Sequence, residues 1–211
     1  MMKMKKIISA CLATVMILCV MMAATACAGQ PPALEDVYDR LVEVIEASHN
    51  INVVIFGAGL PVERRNSPES ELTNRYYGFD DTSMEYVSSY ATYRSLGQIR
   101  DDMEKVYGSA YRASIEESLF TGYAMADEKN SVLPARYTDD GNWMYQNRYV
   151  KSLVDGVRTY DYASMEIVSG NATYIEVSIR SYTVDCPGEW SVCDLAFVYE
   201  NGNWYLDGPS C

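Results

Sequence analysis

The stretch INVVIFGAGLPVERR, residues 51–65, decides the fold. Read as a strand, Val53-Val54-Ile55-Phe56 would deliver Gly57-Ala58-Gly59 to the phosphates of a dinucleotide, and the domain would be doubly wound α/β. That fingerprint needs a third glycine so that the next helix packs close, with the helix N–H groups aimed at the pyrophosphate. Here the third glycine position is Val62, and Pro61 removes a donor from the loop. The stretch that follows, ERRNSPESELTNRYY (63–77), has no long amphipathic period and is interrupted by Pro68. Only Asp80, about 20 residues on, stands where a ribose-binding acid belongs. Gly57 and Gly59 therefore read as the end of a helix, and no cofactor is expected.

Upstream, Leu34, Val37, Tyr38, Leu41, Val44 and Ile45 fall on one helical face. Glu35 and Asp36 favour the positive end of the helix dipole. The helix either frays near Asn50 or runs on through Phe56. Residues 57–83 read mostly as surface loop, and Met84–Tyr93 can hold a strand. Ser95 with Gln98 makes a capping box for a second helix. Its stripe is Leu96, Ile99, Met103, Val106 and Tyr107, and Gly108 breaks it. Ser109 is expected to cap a third helix that stops at Gly122 and packs against the second as a corner.

Beyond about residue 130 the chain is rich in strand formers. TDDGNW (138–143) reads as a turn between PARY and WMYQ. Gly170-Asn171 and Asn201-Gly202 are two-residue hairpin signals. With the turn at CPGEW they predict a four-strand antiparallel meander over 163–207. Leu195, Phe197 and Tyr199 alternate cleanly. In the first hairpin Ile167 would pair with Tyr174, while Ile175, Val177 and Ile179 fall on the other face. That demands either two partly covered faces or a bulge. Helices packed on a twisted antiparallel sheet make an α+β domain.

The ends speak of compartment. Lys3, Lys5 and Lys6 precede an apolar run from Ile7 to Ala26 that closes in Ala24-Thr25-Ala26-Cys27. Charge, apolar core and small residues in this order form an export signal over 1–26. Retained, the same run is about long enough to anchor in a bilayer. Ala24-Thr25-Ala26 fits ordinary secretion. Followed by Cys27, it is similar to the lipobox of bacterial lipoproteins, with Ala24 in place of the usual Leu. An exposed N-terminal thiol is otherwise reactive, so Cys27 is expected to carry lipid, with 27–32 as a tether and 33–211 as one domain.

The chain has net charge −12. Without residues 1–26, which hold three lysines and no acid, the net charge is −15. Such a surface repels nucleic acid and anionic head groups. Membrane attachment then comes from acyl chains; the acidic surface serves solubility alone or meets a basic partner, and neutral small ligands also stay open.

Of six cysteines, Cys186, Cys193 and Cys211 remain beyond Cys27. Cys186 and Cys193 flank a Pro-Gly turn, and a bridge between them would stabilise by about 2.5 kcal/mol on the chain-entropy estimate. Cys193–Cys211 is the rival, because a hairpin at Asn201-Gly202 would set Val192 opposite Cys211. No metal spacing occurs, and the single histidine is His49.

No catalytic motif is present, and no catalytic residue is assigned. Asp80-Asp81 and Asp139-Asp140 sit in expected turns, where Asp caps amides. A glycosidase-type acid pair would need only two carboxylates brought together in space. The unusual feature is eighteen tyrosines. Arg136, Tyr137, Trp143, Tyr145, Arg158, Tyr160, Tyr162, Arg180 and Tyr182 are the candidates for a contact surface, since Tyr offers a flat apolar face and a hydroxyl at low entropic cost. The competing explanation is that Tyr suits half-buried sheets.

Three stretches together carry a resemblance: ATAC (24–27), YRSLGQIRDDMEKVYGSAYRASIEESLF (93–120) leading to ARYTDDGNWMYQ (135–146), and LAFVYENGNWYLDGPSC (195–211). They resemble exported lipoproteins of Gram-positive bacteria with cystatin-like or NTF2-like domains. Over residues 84–211 the order of elements is similar to the cell-wall DL-endopeptidase inhibitor family. The resemblance implies a non-enzymatic module that blocks a peptidoglycan hydrolase, and it transfers no residue. Two other readings stay open: an NTF2-like pocket protein that binds or converts a small molecule, and a structural envelope component.

Overall fold

A computed structural model describes residues 29–63, 84–124, 132–133, 135–147, 158–183 and 186–210. The expected export signal, Cys27, the Asp80-Asp81 pair and Cys211 lie outside these residues. Among the described residues no helix is long and apolar enough to cross a membrane.

The first element of the described residues is α1 (Leu34–Ile55), which does not fray at Asn50. Val37, Leu41, Val44, Ile45, Ile51, Val54 and Ile55 are buried along it at helical spacing. Gly57 N–H donates to Asn52 O at 3.0 Å, and Gly59 N–H to Val53 O at 2.9 Å. The apolar run of the opening stretch is thus the last turn of a helix, and the two glycines terminate it. Next come β1 (Val62–Glu63) and β2 (Met84–Val87), then α2 (Leu96–Val106) and α3 (Ser109–Phe120).

Ser95 Oγ accepts Gln98 N–H, as a capping box requires, while Gln98 Oε1 reaches back to the Arg94 N–H rather than to Ser95. Gly108, not Ser109, is the N-cap of α3. Ser109 instead donates both its N–H and its hydroxyl to the Glu200 carboxylate at 2.9 Å, which pins the corner to the sheet.

Among the described residues the strands form two four-stranded antiparallel sheets, where one was expected. β3 (Tyr123–Ala124) and β4 (Val132–Leu133) form a separate ladder. β5 (Tyr137–Asp139) and β6 (Met144–Asn147) form the anticipated hairpin, but it pairs with β2 and β1 in the order β1-β2-β6-β5. The second sheet is the meander β10-β9-β8-β7. Its strands are β7 (Arg158–Gly170), β8 (Tyr174–Thr183), β9 (Ser191–Glu200) and β10 (Asn203–Leu206), so it begins five residues earlier than predicted.

At the β9–β10 turn Asn201 and Gly202 both adopt positive φ (50° and 86°), the backbone that lets a two-residue turn follow the strand twist. The β7–β8 connection is longer than its Gly-Asn signal suggested. Gly170 pairs with Ile175, and the Asn171 side chain accepts the Thr173 and Tyr174 N–H groups. A register shift at Val168 then sets Ile167 across from Val177. The bulge resolves the face conflict seen in the sequence. A second shift leaves four residues of β7 (162–165) opposite Ile179 alone. Ser164 closes that bulge: its hydroxyl donates to Asp161 O at 2.7 Å and accepts Arg180 N–H at 2.8 Å.

The inner face of the meander buries Ile175, Val177, Ile179, Cys193, Leu195, Phe197, Trp204 and Leu206 in one cluster with α1 and α2. Arg40 on α1 donates to Trp204 O at 3.1 Å, tying helix to sheet.

Candidate functional site

The nine candidate contact residues do not form one surface. They divide by position into an interior group, a group beneath α1, and an exposed group.

Arg136, Tyr137 and Tyr145 lie inside. Arg136 is 3% exposed and Tyr137 fully buried, so neither offers surface to a partner. Arg136 Nε donates to Val54 O at 2.9 Å and an Nη donates to Gly57 O at 2.5 Å. Tyr137 OH donates to the same Val54 O at 2.8 Å. These carbonyls sit at the C-terminal end of α1, where helices leave acceptors unfilled and cations are favoured. Tyr145 OH donates to Asp140 Oδ2 at 2.7 Å, and Asp140 Oδ1 accepts the N–H groups of Asn142 and Trp143. The Tyr145 hydrogen bond, with the two backbone amides, holds the Asp140 carboxyl below its usual range. Asp140 therefore organises a turn, as expected of an Asp there.

Arg158, Tyr160 and Tyr162 face α1. Tyr160 stacks on His49 with centroids 5.6 Å apart and on Tyr162 at 6.2 Å. Burial raises the Tyr162 hydroxyl to about 12. Burial also lowers the His49 pKa, against a weaker upward pull from Glu46, and His49 Nε2 is buried with no hydrogen-bond partner among the described residues. Arg158 donates to Ser181 Oγ at 3.0 Å and Ser191 Oγ at 2.8 Å.

Beside this group runs a polar chain that no sequence motif announced. Tyr107 OH donates to Asn52 Oδ1, and Asn52 Nδ2 donates to Ser210 Oγ. Ser210 and Ser48 share a bond at 2.6 Å, and Ser48 also donates to Ile45 O at 2.6 Å. Tyr160 OH donates to Ser210 O at 2.7 Å. The chain fastens the C-terminal tail to α1 and β7, which is a structural task.

The exposed group gathers on the outer face of the meander. β-pairing sets Thr159 beside Tyr182 in one row, with Asp161, Arg180 and Val192 in the next. Trp190, in the β8–β9 connection, meets Tyr182 edge-to-face at 4.7 Å and the Arg180 guanidinium at 5.8 Å. Arg180 is ion-paired with Asp161. Trp190 is 47% exposed and Val192 67%. Trp143 is exposed on the other sheet, edge-to-face with Tyr86 at 6.1 Å. Trp190 and Val192 were missing from the candidate set because one sits in a stretch read only as a turn and the other is a single aliphatic residue.

The expected Cys186–Cys193 bridge is not formed. Cys186 is a free, exposed thiol, whereas Cys193 is buried and disulfide-bonded. The reason is register. Ser181 pairs with Ser191, so Cys186 stands at the apex of the hairpin. Cys193, paired with Ile179, lies two residues into the returning strand and faces the core. In the rival pairing, Cys211 lies outside the described residues. No cluster of His, Cys, Asp or Glu able to hold a metal occurs among the described residues. Compared with known proteins, the chain matches no protein-family model and no curated protein sequence.

Proposed function

We propose that the chain is an extracytoplasmic binding module, anchored to the outer face of the membrane through lipid on Cys27, that restrains a peptidoglycan hydrolase. One observation carries the reading: an outward face of α1 loaded with carboxylates. Glu35, Asp36, Asp39, Glu43 and Glu46 are all exposed on it, and its only arginine, Arg40, is already paired with Glu43 at 2.9 Å. A single-sign face steers a partner of opposite charge and speeds encounter, which suits a basic, wall-bound enzyme.

The arrangement of α1 against a bulged, four-strand meander supports a cystatin-like or NTF2-like fold. The inner face of that meander is occupied by α1 side chains, which favours a surface-binding role over the small-molecule pocket.

The test is capture from a cell-envelope extract with the tagged chain, followed by affinity measurement at rising salt. Recovery of one hydrolase whose affinity weakens steeply with ionic strength is the expected result. A salt-insensitive affinity, or recovery of no hydrolase, overturns the reading.

A further inference from the structure

Each strand of the meander presents alternate residues to solvent, and at one end of it these residues, with Trp190 of the neighbouring connection, make a platform. Thr159, Tyr182 and Trp190 form one row across β7, β8 and the β8–β9 connection; Asp161, Arg180 and Val192 form the next. With strands about 4.8 Å apart and rows about 7 Å apart, the platform measures roughly 10 Å by 7 Å. Trp190 is held by the Tyr182 ring at 87° and by the Arg180 guanidinium, yet nearly half its surface is open.

We propose that this platform binds an uncharged saccharide chain. A pyranose presents an apolar C–H face and a rim of hydroxyls. The open Trp190 ring and Val192 answer the apolar face. The Arg180–Asp161 pair, with the Thr159 hydroxyl, supplies both donors and acceptors for the rim.

Charge selects against other ligands. The one cation on the platform is neutralised within it, and Glu166, Glu189 and Asp194 stand exposed around it. Anionic polymers are therefore repelled. Size selects against a protein partner. A stable protein interface covers about 800 Å² per side, far beyond this platform, whereas one or two sugar rings cover it.

Position agrees, on the anchored reading above. Gly29, at the start of the described chain, lies against Ala172 in the β7–β8 turn. The Tyr182 end of β8 is eight residues farther along, roughly 26 Å away. A chain tethered just before Gly29 would hold the platform on its membrane-distal side.

The test uses the purified protein titrated with soluble β-1,4-linked N-acetylglucosamine oligomers, four to six rings long, by calorimetry and tryptophan fluorescence. Saturable binding at or below about 1 mM is expected. Trp190→Ala, in an exposed connection, should keep its melting temperature and weaken binding about tenfold or more. Trp143→Phe should bind as the wild type does. The proposal is overturned by no saturation at about 10 mM, or by equal binding to Trp190→Ala. Binding confined to a charged polymer such as heparin, or a Trp190-dependent protein partner without sugar binding, overturns it equally. Sugar binding in solution does not depend on the anchor, so its outcome is separable from that of membrane fractionation, which tests the anchored reading.

Discussion

Arg136→Met removes the guanidinium from beneath the C-terminal end of α1 and leaves an apolar side chain of similar reach. Two carbonyls lose a charged donor, Val54 O and Gly57 O. Hydrogen bonds to charged groups contribute about 1.5–3 kcal/mol each. Val54 O keeps the Tyr137 hydroxyl at 2.8 Å, so only Gly57 O loses its charged donor without that substitute. Removal of a buried charge returns part of the loss. The net expectation is about 2–4 kcal/mol of destabilisation, a large share of the ~5–15 kcal/mol typical of a domain. In urea, with a slope of about 2 kcal/mol per molar, the unfolding midpoint should fall by roughly 1–2 M. Tyr137→Phe removes the other donor to Val54 O and should cost about 1 kcal/mol. Because the two side chains share one acceptor, the double variant should lose more than the sum of the singles, by about 0.5 kcal/mol or more. A midpoint shift below about 0.3 M for Arg136→Met, or strictly additive losses, would refute the role assigned to this pair. Unchanged stability with loss of a binding partner would return Arg136 to the surface role suggested by its sequence context.

Three further outcomes follow from the geometry. Gly170 has φ 137°, and an added Cβ would collide with the Tyr174 carbonyl oxygen and the Ile175 backbone; Gly170→Ala should lower stability by about 2–3 kcal/mol, and a loss under about 0.5 kcal/mol would contradict the turn. Burial holds the His49 pKa below its unfolded value of 6.5, so the unfolded chain binds the extra proton: stability is present above pH 6.5 and declines as pH falls through it. His49→Phe, which keeps the stack on Tyr160, should flatten the melting-temperature profile there and leave untouched the loss at lower pH from Asp140, whose folded pKa is depressed; an unchanged profile near pH 6 would sink this assignment. Alkylation of the unreduced protein followed by peptide mapping should label Cys186 and not Cys193, with Cys193 joined to the peptide ending in Cys211, next to the anchored Ser210; a Cys186–Cys193 peptide would reverse the register argument.

What the sequence made legible was local. The stripe from Val37 to Ile45, the Ser95–Gln98 cap and the Asn201-Gly202 turn each depend on neighbours a few residues away, and each stands where periodicity or turn chemistry put it. The second sheet was not legible. β2, β5 and β6 are three or four residues long, and their partnership spans about sixty residues, with no alternation long enough to announce it. The four-residue excess at 162–165 was equally hidden, because a bulge alters register without altering composition. That excess, closed by the Ser164 hydroxyl, decides which side chains of β7 meet α1 and which meet water.

The tyrosines and arginines show how one residue type divides between two tasks. A helix end and a tail demand donors from wherever the fold can bring them. Arg136 and Tyr137 answer for Val54, and Tyr107, Asn52 and Tyr160 answer for the tail at Ser210. Those partners are 50 to 158 residues apart in sequence, so no window of sequence distinguishes such a residue from one waiting for a ligand. Once the buried carbonyls and hydroxyls have taken their donors, Tyr182 and Trp190 remain at one end of the meander's outer face, beside the paired Arg180 and Asp161. Tyr182 and Trp190 are not part of the core cluster, and Trp190 is 47% exposed. A side chain as costly to leave wet as Trp190, set against Tyr182 and Arg180 in the β8–β9 connection, is better explained by something outside the chain than by anything within it, and that is the physical ground for testing the platform first.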